Sequence, residues 1–183
     1  MSYRPEFEAA LRLFAEVTAA VEASGFAAPV LVGGAAVEFY SGSMIATGDF
    51  DLVITREEAL EAALRGSGFI RPFGDRQVTR GWIHPDLRLG FEIVGRTLLD
   101  GKADRDRVQL IEVQDGEHFL VIAVEDLIAD RMGQYHSGSA PDMLGQARTL
   151  FSLYQDADLM YLERRIREET SNEYGLSELQ SSP

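Results

Sequence analysis

The feature that most constrains the fold is an apolar strand ending in two glycines, followed one helix later by a strand that opens with two aspartates. The two segments are Val30-Leu31-Val32-Gly33-Gly34 and Asp49-Phe50-Asp51-Leu52-Val53-Ile54. Side chains alternate along a strand, so Asp49 and Asp51 share one face and the apolar residues between them share the other. A glycine pair at a strand-to-helix junction lets a ligand approach the backbone and turns helix N-terminal amides toward an anion. Together the segments predict a site for a metal ion and a phosphate.

A third acidic residue follows the same alternation. In Leu87-Arg88-Leu89-Gly90-Phe91-Glu92-Ile93-Val94 the apolar side chains form one face, and Glu92 lies on the other. If this strand neighbours the first, Glu92 joins the two aspartates, and such carboxylates repel one another unless a cation neutralises them. An all-oxygen ligand set suits Mg²⁺ or Mn²⁺. The alternatives are that Glu92 pairs with Arg88 or Arg96 on the surface, that Asp49 belongs to the preceding turn, and that Asp51 caps the next helix.

Length and charge exclude several classes of function. The 183 residues suit one domain with a helical appendage, and no apolar run is long enough for a membrane span. The net charge of −13 argues against broad, nonspecific DNA binding. The chain has no cysteine, so disulfides and thiolate metal sites are excluded and a cytoplasmic location is expected.

Hydrophobic periodicity predicts the order of the secondary structure elements. Helices are predicted at 5–24, 33–40, 55–65, 125–135, 143–154 and 159–167, and strands at 29–32, 50–54, 78–84, 87–94, 108–113 and 118–124. We expect the later strands to be mostly antiparallel, with Gly116 in a hairpin. Thr55 and Glu58 are expected to form a capping box, and the segment Ser139-Ala140-Pro141-Asp142, with Asp142 as its acidic residue, to cap the helix that follows it. The predicted organisation is an α/β core over 1–124, a helical region over 125–170 packed on that core, and a flexible tail over 171–183.

Gly33-Gly34, Asp49-Phe50-Asp51 and Glu92 together resemble the DNA polymerase β-like nucleotidyltransferase superfamily. Its hallmark is a glycine pair at a helix start, an Asp-x-Asp strand and a third acidic strand residue. The short chain with a helical C-terminus is similar to minimal bacterial members, including the toxins of abortive-infection (AbiEii-like) toxin–antitoxin systems. The resemblance implies an α+β fold with a mixed sheet flanked by helices.

The resemblance also implies roles for individual residues. Asp49, Asp51 and Glu92 would be catalytic residues and would ligate Mg²⁺ or Mn²⁺, and Glu92 could instead deprotonate the incoming hydroxyl. Gly33 and Gly34 would approach the nucleotide. Arg131, in Val124-Glu125-Asp126-Leu127-Ile128-Ala129-Asp130-Arg131-Met132, would contact phosphate, and Asp142 would orient that arginine or cap its helix.

The implied reaction is transfer of a nucleotide from a nucleoside triphosphate to a hydroxyl of RNA, a protein or a small molecule. Scattered arginines at 76, 80, 88, 96, 105 and 107 could hold an RNA end, and an antitoxin could be a partner. A catalytically degenerate nucleotide-binding or regulatory protein of the same fold is the alternative. Three departures from the family pattern favour it. Ala35 stands where many relatives carry a hydroxyl, Arg131 stands where the helix motif usually has lysine, and the separation of Gly34 from Asp49 is at the long end of the family's usual spacing.

Overall fold

A computed structural model of the protein describes residues 3–72, 81–87, 89–113 and 116–180. The chain divides into two compact units, Met1–Ile122 and Ala123–Pro183. Within the described ranges, the first unit contains three α-helices and one six-stranded sheet. Its helices are α1 (Pro5–Ala23), α2 (Gly33–Ser41) and α3 (Glu57–Gly66), and its strands are β1 (Val30–Val32), β2 (Asp49–Val53), β3 (Trp82–Ile83), β4 (Gly90–Gly95), β5 (Gln109–Glu112) and β6 (His118–Val121). Two short 3-10 helices, Leu98–Gly101 and Arg105–Arg107, lie between β4 and β5.

The sheet is mixed, with strand order β3-β4-β2-β1-β6-β5. The pairs β1–β2, β3–β4 and β5–β6 are antiparallel, and Gly116 has the positive φ of +83° expected at the β5–β6 hairpin. However, β2–β4 and β1–β6 are parallel. The expected antiparallel pairing is thus found among the later strands, in β3–β4 and β5–β6, whereas the pairings that join β4 and β6 to the earlier strands β2 and β1 are parallel. Periodicity within a strand reports which face is buried and carries no information about the direction of its neighbour.

An aromatic core holds α1 against one face of the sheet. Pro5 occupies the first turn of α1, where its missing N–H costs nothing, and Phe7 and Phe14 are fully buried along one side of the helix. The ring of Phe14 lies 6.2 Å from that of Phe50 and 6.1 Å from that of Phe91. The ring of Phe119 is 5.6 Å from Phe14, so the core spans β4, β2 and β6.

The register between β2 and β4 is set by this core. Phe50 and Phe91 are both fully buried, face each other in the ladder, and stack with ring centroids 4.7 Å apart and ring planes 6° apart. A slip of one residue would turn one phenylalanine out to the other face, so the stacked pair fixes the register. Because side chains alternate, it also pairs Asp51 with Glu92 on the opposite face.

The described part of the second unit contains four α-helices and no strand. Its elements are α4 (Val124–His136), α5 (Met143–Leu153), α6 (Leu159–Glu169) and α7 (Leu176–Gln180). The last helix lies where a flexible tail was expected. It is anchored because Leu179 is buried and the Leu176 N–H donates to Glu163 Oε2 at 2.6 Å.

A buried ion cluster joins α4 to α6. The Arg165 guanidinium is fully buried and donates to Asp126 Oδ1 at 2.6 Å, Glu168 Oε2 at 2.5 Å and Glu169 Oε1 at 2.7 Å. The Tyr161 hydroxyl donates to both Asp126 carboxylate oxygens, at 3.0 and 2.9 Å. Burial nevertheless raises the pKa of Asp126, because desolvation outweighs these hydrogen bonds.

Both predicted helix caps are wrong. The cap position of α3 is Arg56, one residue beyond Thr55, and the helix start carries no side-chain cap. Glu57, in the first turn of α3, pairs with Arg96 at 2.8 Å. Asp142 does occupy the cap position of α5, but its side chain makes no capping hydrogen bond and its backbone is helical. The capping geometry requires an extended backbone at that residue.

Among the described helices, none combines the length and apolar character needed to cross a bilayer.

Candidate active site

The three predicted strand carboxylates lie on one face of the sheet. Asp51 and Glu92 are direct partners across the parallel β2–β4 ladder, and Asp49 stands two residues before Asp51 on the same face. Asp49 is exposed, whereas Asp51 and Glu92 are half-buried. Neighbouring strands are about 4.8 Å apart, so side chains at paired positions are within reach of one shared small ligand. The structure thus brings the three acidic side chains to one face, as the alternation predicted.

The glycine pair contacts the Asp51 carboxylate. The Gly34 N–H donates to Asp51 Oδ2 at 3.2 Å. Gly33 has a left-handed φ of +59°, and a Cβ at this position would overlap the Asp51 carboxylate. A Cβ on Gly34 would lie 2.5 Å from Thr47 Oγ1. Both glycines are therefore needed for the approach of β2 to the start of α2, in addition to any approach by a ligand.

Two further glycines line the same face and were not singled out from the sequence. A Cβ on Gly90 would lie 2.7 Å from Asp49 Oδ1, and one on Gly81 would lie 2.8 Å from the Phe91 carbonyl oxygen and 3.5 Å from Glu92 Cβ. A glycine inside a strand often marks such a close approach. The position of Gly90 within an otherwise regular alternation was therefore a usable signal. Gly81 is described, but it directly follows residues 73–80, which are not. Its sequence neighbours show no comparable alternation of apolar and polar residues.

The donor chemistry fits a divalent metal ion carried with phosphate. In the ranges described above, no three His, Asp or Glu side chains are grouped closely enough to hold a metal ion by themselves. Mg²⁺ seldom uses such an all-protein cage; it commonly binds one or two carboxylates, several waters and the phosphates of a substrate. Asp49 and Asp51, with Glu92 beside them, are oxygen donors of that kind. The expected closed three-carboxylate cluster is not formed by the protein side chains alone.

Arg131 and Asp142 belong to the second unit. Arg131 is buried in α4, and its guanidinium pairs with Asp130 Oδ2 at 2.9 Å and reaches Met143 Sδ at 3.3 Å. Its Nε has no hydrogen-bond partner among the described residues. The carboxylate that holds Arg131 is that of Asp130, whose pKa is raised by burial, and not that of Asp142, which is exposed. The assignment of Arg131 and Asp142 to nucleotide binding stays a prediction.

Only some of the arginines proposed as an RNA-binding rim lie within the described residues. Arg96 pairs with Glu57, and three others, Arg76, Arg80 and Arg88, lie outside the described residues. Trp82 is buried on the core face beside Phe91, with the guanidinium of Arg65 5.1 Å from its ring centre. It is a packed strand aromatic.

Comparison with known proteins identifies the fold class. No protein-family model and no curated protein matches the chain. Among solved structures, the chain is similar to an antigenic nucleotidyltransferase-like protein from Paracoccidioides brasiliensis, with a TM-score of 0.61 and 13% identity over 99% of this chain and 95% of that one. The protein therefore has a nucleotidyltransferase-like fold.

A second neighbour is the antibiotic-resistance factor ANT(2'')-Ia, in two structures. Its solution structure gives a TM-score of 0.57 and 17% identity over 89% of this chain and 92% of that one. Its crystal structure in complex with adenylyl-2''-tobramycin gives a TM-score of 0.59 and 16% identity over 91% of this chain and 99% of that one. At such identities the likeness concerns the fold.

Proposed function

We propose that the protein is a nucleotidyltransferase that uses Mg²⁺ or Mn²⁺ and moves a nucleotide from a nucleoside triphosphate to an acceptor hydroxyl. The observation that carries this proposal is the pairing of Asp51 with Glu92 on the face that also bears Asp49, next to the glycine turn. The fold supports it, because ANT(2'')-Ia, a protein of this fold, is known in complex with an adenylylated small molecule.

The chemistry follows from charge and position. The acceptor hydroxyl oxygen forms a bond to the α-phosphorus as the bond from that phosphorus to the bridging oxygen breaks, and pyrophosphate leaves with the electron pair. A bound divalent ion would neutralise the phosphate charge that builds up during transfer. Asp49 and Asp51 would hold that ion, and Glu92 would help hold it or accept the hydroxyl proton. The backbone at Gly33 and Gly34, which has no side chain, would admit the phosphates.

We propose a small-molecule hydroxyl as the acceptor. The net charge of −13 repels a long polyanion such as RNA. The compound in the ANT(2'')-Ia complex, adenylyl-2''-tobramycin, is a small molecule. RNA and protein acceptors are alternatives for the same assay. A toxin role with an antitoxin partner is a separate part of the proposal, motivated by the family resemblance. It predicts that expression of the wild type arrests growth and that expression of Asp49→Asn does not.

The test is transfer of label from α-³²P nucleoside triphosphates with Mg²⁺ or Mn²⁺ to tobramycin, bulk tRNA or the protein itself. We expect transfer by the wild type, and loss of at least about 100-fold in Asp49→Asn, Asp51→Asn and Glu92→Gln. Glu16→Gln, an exposed change on α1, is the matched control. Equal transfer by wild type and Asp49→Asn would contradict the assignment.

A noncatalytic nucleotide-binding protein is the second candidate. Its supporting observations are the lack of a preformed three-carboxylate metal group among the described residues and the alanine at position 35. This alternative predicts that nucleotide with Mg²⁺ raises the melting temperature while no label reaches any acceptor. The transfer assay and the melting experiment together separate the two functions.

A further inference from the structure

An ion pair in the first unit binds the loop that leads into the candidate site. Glu38 lies on α2 with its side chain fully buried, and Arg4 precedes α1. Arg4 Nε donates to Glu38 Oε1 at 2.6 Å, and Arg4 Nη2 donates to Glu38 Oε2 at 3.0 Å. This two-pronged geometry is the strong form of an arginine–carboxylate contact, and it fixes direction as well as distance.

The same two side chains hold both main-chain polar groups of Thr47. The Thr47 N–H donates to Glu38 Oε2 at 2.6 Å. The Thr47 carbonyl oxygen accepts from Arg4 Nη2 at 2.5 Å. A residue whose N–H and C=O are both bound to one ion pair has little freedom to shift along the loop.

The first half of the loop is tied to the pair as well. Ser43 has a left-handed φ of +61°, a conformation that is costly for a residue with a side chain. Its hydroxyl donates to Glu38 Oε1 at 2.8 Å and accepts from the Arg4 N–H at 3.1 Å. The ion pair thus offsets the strain of the turn that leaves α2. This loop accounts for the long separation of Gly34 from Asp49 in the sequence.

Thr47 connects the ion pair to the carboxylates. Its hydroxyl donates to the Asp49 carbonyl oxygen at 3.2 Å and lies 2.5 Å from the place that a Cβ on Gly34 would occupy. Gly34 in turn donates its N–H to Asp51. Thr47 therefore stands between the residue that opens β2 and the glycine that contacts Asp51.

We propose that Arg4 and Glu38 are positioning residues of the candidate active site, acting through Thr47 to set the place of Asp49. The inference rests on the proposed function for its catalytic consequence. The Glu38 carboxylate of this ion pair is fully buried and the Arg4 side chain is 31% exposed. Such a pair contributes little net stability compared with apolar packing, so its value lies in specifying one loop conformation. Hydrogen bonds from Arg4, Thr47 and Ser43 overcome the effect of burial and hold the pKa of Glu38 below its usual range, so the carboxylate stays charged.

The test compares Arg4→Lys and Glu38→Gln with Arg12→Lys. Lysine keeps the charge of Arg4 but has no planar fork with which to bind Glu38 and Thr47 together. Arg12 is the matched control because it forms an exposed pair with Glu8 within α1, the helix that Arg4 precedes. In transfer assays at saturating nucleotide, we expect kcat to fall about 10- to 100-fold in the first two variants and to stay unchanged in the third. An unchanged kcat in Arg4→Lys, or a loss no larger than its unfolded fraction, would overturn the proposal.

Amide hydrogen exchange provides a readout that does not depend on activity. We expect Arg4→Lys to speed exchange at the Thr47 and Asp49 amides, with no change at Leu52 in the middle of β2 beyond that of global stability. Uniform acceleration at all three amides, or none, would overturn the proposal. If the wild type neither binds nor transfers nucleotide, the proposed function fails. The exchange pattern still decides whether the ion pair fixes the segment from Thr47 to Asp49.

Discussion

The main-chain N–H of Gly34 donates to Oδ2 of Asp51 at 3.2 Å, which joins the start of α2 to the carboxylate strand β2. The contact is possible because Gly33 has no side chain, since a Cβ on Gly33 would overlap the Asp51 carboxylate. The glycine pair therefore shapes the protein's own site before any ligand is considered. A change at either glycine should act on the position of Asp51.

Gly33→Ala should be destabilising by about 2–4 kcal/mol, because it adds a clash with Asp51 to the strain of a left-handed backbone. Gly25→Ala is the matched control, since Gly25 has a φ of +81° with open space where its Cβ would stand. It should cost only about 1 kcal/mol. Urea unfolding of the two variants measures the difference, and equal losses would show that Asp51 does not approach Gly33 as described.

Metal and nucleotide together should stabilise the wild type through Asp49 and Asp51. A ligand at 100 times its Kd adds about 2.7 kcal/mol to the free energy of unfolding. We expect this gain with Mn²⁺ plus a nonhydrolysable triphosphate, a smaller gain with either alone, and none in Asp49→Asn. Thermal unfolding followed by circular dichroism measures it. A gain retained in full by Asp49→Asn would place the binding site elsewhere.

The Glu38 carboxylate should make stability depend on acid pH. Its folded-state pKa is lowered, so its contribution is fully present above the unfolded value of about 4.3 and is lost as pH falls through the folded value. The difference in unfolding free energy between wild type and Glu38→Gln should therefore be largest near neutral pH and shrink below about pH 4.3. Urea unfolding from pH 7 to pH 3 measures it. A difference that grows as the pH falls would contradict the sign.

Removing the buried arginine of the second unit should be far more damaging than removing an exposed one. Arg165→Met leaves Asp126 buried without its charge partner and should cost about 3–5 kcal/mol. Arg167→Ala, which breaks an exposed pair with Glu163 on the same helix, should cost about 0.5 kcal/mol. Unfolding by urea compares them. The double change Arg165→Met and Asp126→Leu should recover most of the loss, and failure to recover would argue against an unpaired charge as the cause.

Most elements were predictable because local patterns specify them. The predicted helix at 5–24 is observed at Pro5–Ala23, and the predicted strand at 50–54 is observed one residue earlier, at Asp49–Val53. Amphipathic alternation also predicted that Glu92 would share a face with the aspartates. The capping residues were wrong at Thr55 and Asp142, because a cap depends on backbone angles at one residue that a short motif does not fix.

The interactions between elements were much less predictable. Nothing in the local pattern indicates that β2 and β4 run parallel, or that Leu176–Gln180 folds into a helix. No motif in the sequence singles out Arg4 or Glu38. Their partners lie far along the chain, and only folding brings them together.

The amino-acid sequence by itself determined which side chains share a face, because the two-residue repeat of a strand and the apolar stripe of a helix are local properties. It thereby determined the glycine turn and the three acidic residues that make this chain a candidate nucleotidyltransferase. The tertiary structure alone decided which strand lies beside which and in what register, since the Phe50–Phe91 stack aligns Asp51 with Glu92. It also decided that the Arg4–Glu38 ion pair binds Thr47 in the loop before Asp49, because such contacts depend on packing between distant segments.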